Sequence, residues 1–328
     1  MKKIALLLAT VIIASSVGLF GCRKQNNDWD VYAPDGAPAL ALGLPMYEDK
    51  PDDGMDYHIV SSLVIKTYVT GKNPDAEICL LPVNLAAKLL GDGSVYQMAG
   101  VVTHGNLYLL STNQTQYTKD NLNDLIGKTV GVVQLNNVPG LTFKATLAAA
   151  NVPYNDLSDG GSVALDKVNL KPIDPKDTTG ADVFLLPSPA ADARAAATDF
   201  VFVGDLQAMY GSGNGYPQAV LVVKKELLDR EADRVNAFLA RVAESETWLK
   251  VADKRTVVEA VRLHLANGLS PTFNETTLTD GAIAHSGIRF QATDRELIAK
   301  TTDFLSRLVA IEPTMAAIPD EDFYYLAR

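Results

Sequence analysis

Side chains suited to acid–base, nucleophilic or metal chemistry are few in this sequence and far apart. The four histidines, His58, His104, His264 and His285, show none of the paired His or Cys spacings typical of a zinc site. His104 with Asp35 is the only acid–base pair that we nominate for catalysis. The chain has no G-x-S-x-G, Walker lysine or H-E-x-x-H motif. The sequence therefore indicates binding rather than catalysis, with no cofactor and no metal.

Two further segments have weak chemical signatures. Cys79 lies in the apolar run at residues 77–81, which predicts a small buried side chain rather than a nucleophile. The glycine-rich residues 211–216 resemble a phosphate-binding loop, but they lead into a strand and have Tyr216 where the dinucleotide fingerprint has its last glycine. We interpret this loop as a crossover between lobes.

Strand-like runs followed by loops that open helices recur along the chain, and they predict how polar residues are positioned. The runs lie at residues 29–33, 57–60, 77–81, 129–133 and 182–186. Such alternation is typical of α/β lobes with mostly parallel sheets. Helical apolar periodicity then dominates the C-terminal part.

Length and charge limit the architecture and the partners. A chain of 328 residues, 47% hydrophobic and 21% charged, is expected to form two lobes with a cleft between them. Extended passages at residues 101–111 and 211–223 predict two crossings, so lobe 1 comprises residues 29–105 and 217–328, and lobe 2 comprises residues 106–216. The net charge of −10 excludes nucleic acid as the expected partner.

The first residues have the pattern of an export signal. Two lysines, an apolar run at residues 4–13 and a small-residue stretch predict a secretory signal peptide over residues 1–21. The alternative, a membrane-anchor helix, needs about 20 apolar residues. Residues 19–22, Leu-Phe-Gly-Cys, resemble the bacterial lipobox, which implies cleavage before Cys22 and lipidation of its thiol. The mature chain would then have 307 residues, a charge of −12, a tether at residues 22–28 and no internal disulfide.

The order of several segments resembles the substrate-binding lipoproteins of bacterial ABC importers, in the nitrate/sulfonate/thiamine-precursor-like branch. Besides the lipobox, the matching segments are APDGAP at 33–38, LLPVNLAAKL at 80–89, GNLYL at 105–109, LIGKTVGV at 125–132, PQAVLVV at 217–223 and IPDEDFYY at 318–325. Where relatives often have a Glu-Pro pair after the fourth strand, this chain has Leu-Pro-Ser-Pro at 186–189, and the cysteine-rich stretch of the thiamine-precursor branch is absent.

The resemblance implies the periplasmic-binding-protein type II architecture, in which two α/β lobes joined by two crossovers close on a ligand. It also implies a monomer, exported and lipid-anchored to the bacterial membrane, that binds a small polar or anionic organic solute. The expected partners are the permease and ATPase of the same importer. Two alternatives stay open: an enzyme on the same fold, of menaquinone- or pyrimidine-pathway type, and an anchored sensory or adhesion module.

In open α/β sheets, ligands bind at the carboxyl ends of the strands, beside helix N-termini. This rule selects the candidate ligand-binding residues of this chain, which are Asp35, Gly36, Ala37, Ser61, Ser62, Pro82, Val83, Asn84, His104, Asn106, Gln134, Asn136, Asn137 and Ser188. Six of them also have a purely structural interpretation. It is helix capping for Ser61, Asn84 and Ser188, a turn for Asp35 and Asn137, and an interior histidine for His104.

Overall fold

The computed structural model describes residues 28–50, 53–92, 94–174, 179–211 and 215–326. The predicted signal peptide, the lipidation site Cys22 and all of the tether except Asp28 lie outside these residues. No helix within the described ranges is long and apolar enough to cross a lipid bilayer.

The strands of the described ranges form two six-stranded sheets. Sheet 1 contains β1 (Trp29–Pro34), β2 (Met55–Val60), β3 (Ile78–Pro82), β4 (Tyr96–His104), β11 (Pro217–Lys224) and β12 (Ile288–Ala292). Sheet 2 contains β5 (Leu107–Ser111), β6 (Thr129–Val133), β7 (Tyr154–Asp156), β8 (Val168–Ile173), β9 (Val183–Pro187) and β10 (Val201–Asp205).

The two sheets have the same topology in their central strands. Sheet 1 runs β12-β4-β11-β3-β1-β2, and sheet 2 runs β10-β5-β9-β6-β8-β7. Three neighbouring strands are parallel in sheet 1, β3, β1 and β2, and four are parallel in sheet 2, β9, β6, β8 and β7. The next strand, β11 or β5, is antiparallel and directly follows a crossing between the sheets. The predicted two-lobed α/β fold with two crossovers is confirmed.

The central parallel strands β3 and β9 are continuous apolar runs because helices and loops cover both of their faces. Strand β3, Ile-Cys-Leu-Leu-Pro, is buried over its first four residues, and Cys79 is fully buried, as predicted. Burial raises the pKa of the Cys79 thiol well above its usual range, so this side chain remains protonated and inert.

Helices connect the strands and pack against the sheets. They are α1 (Ala37–Ala41), α2 (Gly43–Glu48), α3 (Val83–Leu90), α4 (Val138–Ala149), α5 (Ala190–Ala197), α6 (Leu206–Tyr210), α7 (Lys225–Arg230), α8 (Ala232–Val251), α9 (Lys254–Arg262), α10 (Asp280–His285) and α11 (Arg295–Ile311). Short 3-10 helices lie at Ile65–Tyr68, Leu122–Leu125 and Glu321–Phe323.

The predicted helix start at Ser61 and Ser62 is wrong. After β2 the chain forms a turn and then the single 3-10 helix Ile65–Tyr68. The turn is closed locally, because the Val64 N–H donates to the Ser61 carbonyl (3.1 Å). β-Branched Val64 and Ile65 lower the helix propensity of this stretch.

The two crossings touch each other at glycines that no other residue could replace. Gly215, immediately before Tyr216 and β11, has φ +73°, and a Cβ there would lie 1.9 Å from the carbonyl oxygen of His104 at the end of β4. Gly105, between β4 and β5, has φ +65°. A Cβ on Gly287, before β12, would lie 2.2 Å from the Gly105 carbonyl oxygen. Glycine is required here by both the left-handed backbone and the close approach.

Helix α11 packs against elements of both sheets. It contacts α4, which follows β6 of sheet 2, and also α3 and β11 on the side of sheet 1. Phe304 of α11 stacks on Tyr216 beside the second crossing, with ring centroids 5.0 Å apart. The apolar core is therefore continuous behind the crossings.

Candidate functional site: a cavity between the two sheets

A cavity of about 160 Å³ lies where strands of both sheets end. Its walls are the loops after β1 and β3 of sheet 1 and after β6 and β9 of sheet 2, which is the position that the carboxyl-end rule predicts. Eight of the fourteen predicted residues line it: Asp35, Gly36, Ala37, Ser62, Pro82, Asn106, Gln134 and Ser188.

Asp35 is fixed in the turn after β1. Its Oδ1 accepts a hydrogen bond from the Gly36 N–H (2.8 Å), and its Oδ2 accepts from the N–H (2.7 Å) and the Oγ1 (2.5 Å) of Thr272. Gly36 has φ +100° and open space where a side chain would project. The structure therefore adds Thr272 to the cavity wall, a residue that sequence reasoning missed because it lies 237 positions from Asp35.

A hydrogen bond crosses the cavity between the two sheets. The Nε2 of Gln134, after β6, donates to the Oγ of Ser62, after β2 (2.6 Å). Gln134 has φ +53°, an uncommon conformation for a residue other than glycine. Asn137 supports it, because its Nδ2 donates to the Oε1 of Gln134 (3.1 Å) while its Oδ1 accepts from the Val138 N–H (3.1 Å) and caps α4.

Asn106 connects the first crossing to both sheets. Its Nδ2 donates to the Ser188 carbonyl oxygen (2.8 Å), and its backbone N–H donates to the Oε1 of Gln218 on β11 (3.1 Å). The Nε2 of Gln218 donates in return to the Oδ1 of Asn106. Asn106 is only 2% exposed, so these bonds satisfy a buried amide. Gln218 was not predicted as a site residue, although it lies in the segment PQAVLVV at 217–223, which resembles the family.

Ser188 links the cavity wall to a second contact between the lobes. Its Oγ donates to Oδ2 of Asp192 on α5 (2.6 Å), and Oδ1 of Asp192 lies 2.8 Å from Nδ1 of His285 on α10. The His285 ring packs beside Tyr108 and Phe202, with ring centroids 4.9 and 5.1 Å away. Ser188 is not the cap of α5, whose first flanking residue is Pro189.

The other predicted residues do not line the cavity. Val83 is buried in the core, and Nδ2 of Asn84 donates to the Met315 carbonyl oxygen (2.8 Å). Asn136 is exposed, and the Ser61 Oγ accepts from the Leu63 N–H (3.3 Å). Asn137 stands one step behind the wall, where it holds Gln134.

His104 lines a different cavity, of about 580 Å³, on another side of the crossings. It is 8% exposed, and its Nε2 has no hydrogen-bond partner among the described residues. Burial, aided by the charge of Arg289, lowers the pKa of His104 to about 3, so the ring is neutral at pH 7. Since Asp35 and His104 line separate cavities, the nominated acid–base pair is not assembled in the site.

Three side chains of the described residues are close enough to share a metal ion, and they lie away from the cavity. Asp30, Asp56 and His58 are on β1 and β2, with His58 Nε2 2.9 Å from Asp30 Oδ1 and 3.6 Å from Asp56 Oδ2. The ring of His58 stacks on Tyr32 at 4.4 Å. The hydrogen bond between Asp30 and His58 accounts for this arrangement as a contact between neighbouring strands.

No protein-family model and no curated protein matches the sequence. Solved structures do match it. An ABC transporter structure from Parabacteroides distasonis is 16% identical, covering 92% of this chain and all of that one, with a TM-score of 0.68. The ligand-binding component of an ABC-type import system from Staphylococcus aureus, with zinc bound, is 12% identical over 91% of this chain and 96% of that one (TM-score 0.61). The alkanesulfonate-binding protein SsuA from Xanthomonas axonopodis pv. citri, bound to MOPS, is 12% identical over 90% and 96% (TM-score 0.59).

Two of these structural neighbours are described as ABC-type transport proteins and two as ligand- or alkanesulfonate-binding proteins, in line with the family whose motifs the sequence resembles. At sequence identities of 12–16%, the structural similarity shows that these proteins and this chain have the same fold. The chain thus has the two-lobed type II architecture of periplasmic binding proteins, with a cavity where the two lobes meet.

Proposed function

We propose that this chain is an extracytoplasmic solute-binding lipoprotein of an ABC importer, which captures a small organic solute between its lobes and delivers it to a permease. The observation that carries the proposal is the cavity at the carboxyl ends of strands from both sheets. The two crossings that join the sheets contact each other. The structural neighbours from ABC-type transport systems support the same function.

Capture works by a change in the distance between the lobes. The lobes are residues 29–105 with 217–328, and residues 106–216, a division that the membership of the two sheets supports. A solute that contacts both walls stabilises the closed arrangement by its differential affinity for that state. The Ser62–Gln134 hydrogen bond then closes the wall over the solute.

Residues 1–22 support export and anchoring through a lipid on Cys22. The anchored monomer would face the periplasm or the cell exterior, where the permease and its ATPase partner receive the solute. Metabolic labelling with a radioactive fatty acid tests the anchor: we expect label on the wild type and none on Cys22→Ala. Cys79→Ala is the matched control and should retain the label.

The binding function is tested by native mass spectrometry of the freshly purified mature protein. We expect a population heavier than the polypeptide by the mass of one small molecule, which disappears in Ala190→Trp because the indole fills the cavity beside Pro189. Leu165→Trp is the control, since Leu165 is 85% exposed and distant from the wall. Equal retention of the small molecule in both variants would exclude this cavity as the binding site.

A further inference from the structure

A strap of seven residues, 266–272, runs from the end of β2 to the turn after β1, beside the cavity. Its first end is tied to β2, because the first N–H group of the strap donates to the Ile59 carbonyl oxygen (2.8 Å). At its other end, Thr272 donates to Asp35, and the next residue, Phe273, is 2% exposed and packs into the apolar core of lobe 1. The strap is therefore anchored at both ends, and Thr272 is the part of it that lines the cavity.

Between its two ends the strap is exposed and weakly bonded. Leu269 and Thr272 are half-buried, and the other five residues are exposed. The Leu269 N–H donates to the Ala266 carbonyl oxygen (3.0 Å), which closes a turn inside the strap. Among the described residues, the hydrogen bonds from residues 269–272 to other parts of lobe 1 are the two that Asp35 accepts. A segment of this kind opens locally at a low cost in free energy.

Asp35 holds the strap through both hydrogen-bond donors of Thr272. Its Oδ2 accepts from the Thr272 N–H (2.7 Å) and Oγ1 (2.5 Å), while its Oδ1 accepts from the Gly36 N–H (2.8 Å). Hydrogen bonds to a carboxylate are stronger than hydrogen bonds between neutral groups. Gly36 and Thr272 line the same cavity. The bonds between Asp35 and Thr272 therefore keep this part of the cavity wall complete.

We propose that the strap is a movable part of the lobe 1 wall and that Asp35 is the latch that keeps it closed over the solute. This inference rests on the proposed function and assigns how solute release is controlled at that site. Asp35 is thus a positioning residue, which acts on the solute through Thr272 rather than as the ligand expected from the sequence. When the two bonds to Asp35 break, the strap moves about its tie to Ile59 and the wall beside Gly36 opens. The solute then leaves while the lobes remain together.

Two substitutions at Thr272 test the latch in the mature protein. Thr272→Val keeps the β-branched shape but removes the Oγ1 donor, whereas Thr272→Ser retains a hydroxyl and is the matched control. We expect amide hydrogen exchange over residues 266–272 to be about tenfold faster in Thr272→Val than in the wild type, and close to the wild type in Thr272→Ser. Exchange in β3 should be unchanged in both variants, because a latch acts on the strap alone, whereas a general loss of stability would accelerate exchange in the core strands as well.

The compound that the wild type retains from cell extract provides the second readout, and it separates the two proposals. After dilution into fresh buffer, native mass spectrometry at intervals gives the fraction of molecules that still hold the compound. We expect Thr272→Val to lose it about tenfold faster than the wild type, and Thr272→Ser to lose it at the wild-type rate. If either the exchange or the rate of loss is unchanged in Thr272→Val, the latch is overturned and solute binding remains intact. If neither the wild type nor the variants retain a compound, the proposed function is overturned, and the inference with it.

Discussion

At the scale of single residues, His104 shows how burial changes the protonation of a titratable side chain. Its position directly before a crossing made it a candidate ligand, but the residue is 8% exposed and its carbonyl group lies against Gly215 of the second crossing. Burial keeps it neutral in the folded state, with a pKa of about 3, whereas in the unfolded chain a histidine has a pKa of about 6.5. Below pH 6.5 the unfolded state therefore binds the additional proton.

This difference predicts how acid changes the stability. The contribution of neutral His104 is fully present above pH 6.5 and is lost as the pH falls from 6.5 toward 3. Between pH 7 and 5 we expect the wild type to lose about 2 kcal/mol more unfolding free energy than His104→Gln, measured by urea titration. Thr103→Val removes a neighbouring buried hydroxyl without removing a titratable group, so it should follow the wild-type dependence. Identical dependence for His104→Gln and the wild type would contradict this assignment.

At the scale of elements, the start of α4 combines helix stability with the shape of the cavity. Asn137 caps the helix through Oδ1 and holds Gln134 through Nδ2. We expect Asn137→Ala to lower the unfolding free energy by about 1 kcal/mol and also to weaken solute binding. Asn137→Asp keeps the capping acceptor but loses the donor to Gln134, so it should retain stability and still bind solute more weakly. Chemical denaturation and titration of the two variants separate the roles; an Asp variant that binds like the wild type would show that Gln134 needs no support.

The elements that sequence reasoning located are those whose signal is local. The strand predicted at 129–133 is found as Thr129–Val133, because four β-branched residues there are bounded by loop residues. Strand Val168–Ile173 was missed, since Lys171 and Pro172 interrupt its apolar pattern. Asp35 was located from the turn after β1, whereas its partner Thr272 comes from a loop that only the tertiary fold brings near. The sequence alone therefore predicted which loops form the site. It did not predict side chains such as Thr272, which come from distant parts of the chain and hold those loops in place.

At the scale of the whole molecule, side-chain contacts between the lobes include the hydrogen bonds Ser62–Gln134 and Asp192–His285, while α11 packs behind the crossings. Ser62–Gln134 closes the cavity directly. Asp192–His285 lies beside it and is coupled to the cavity wall, because the same Asp192 carboxylate accepts a hydrogen bond from Ser188. Movement of Ser188 by a bound solute would therefore reach His285 through a single carboxylate.

This arrangement predicts that Asp192 favours closure. Asp192→Asn removes the negative charge that strengthens the hydrogen bonds to Ser188 and His285 and leaves one accepting oxygen in place of two, so both bonds should weaken. We expect a larger radius of gyration in small-angle scattering and a solute affinity lowered about tenfold, since fewer molecules occupy the closed state. His285→Phe keeps an aromatic ring beside Tyr108 and Phe202 but loses the hydrogen bond, so it should give the same expansion. In the double variant the two effects should not add, because both remove one contact. Scattering curves of Asp192→Asn and the wild type that superimpose would show that this contact does not hold the lobes together.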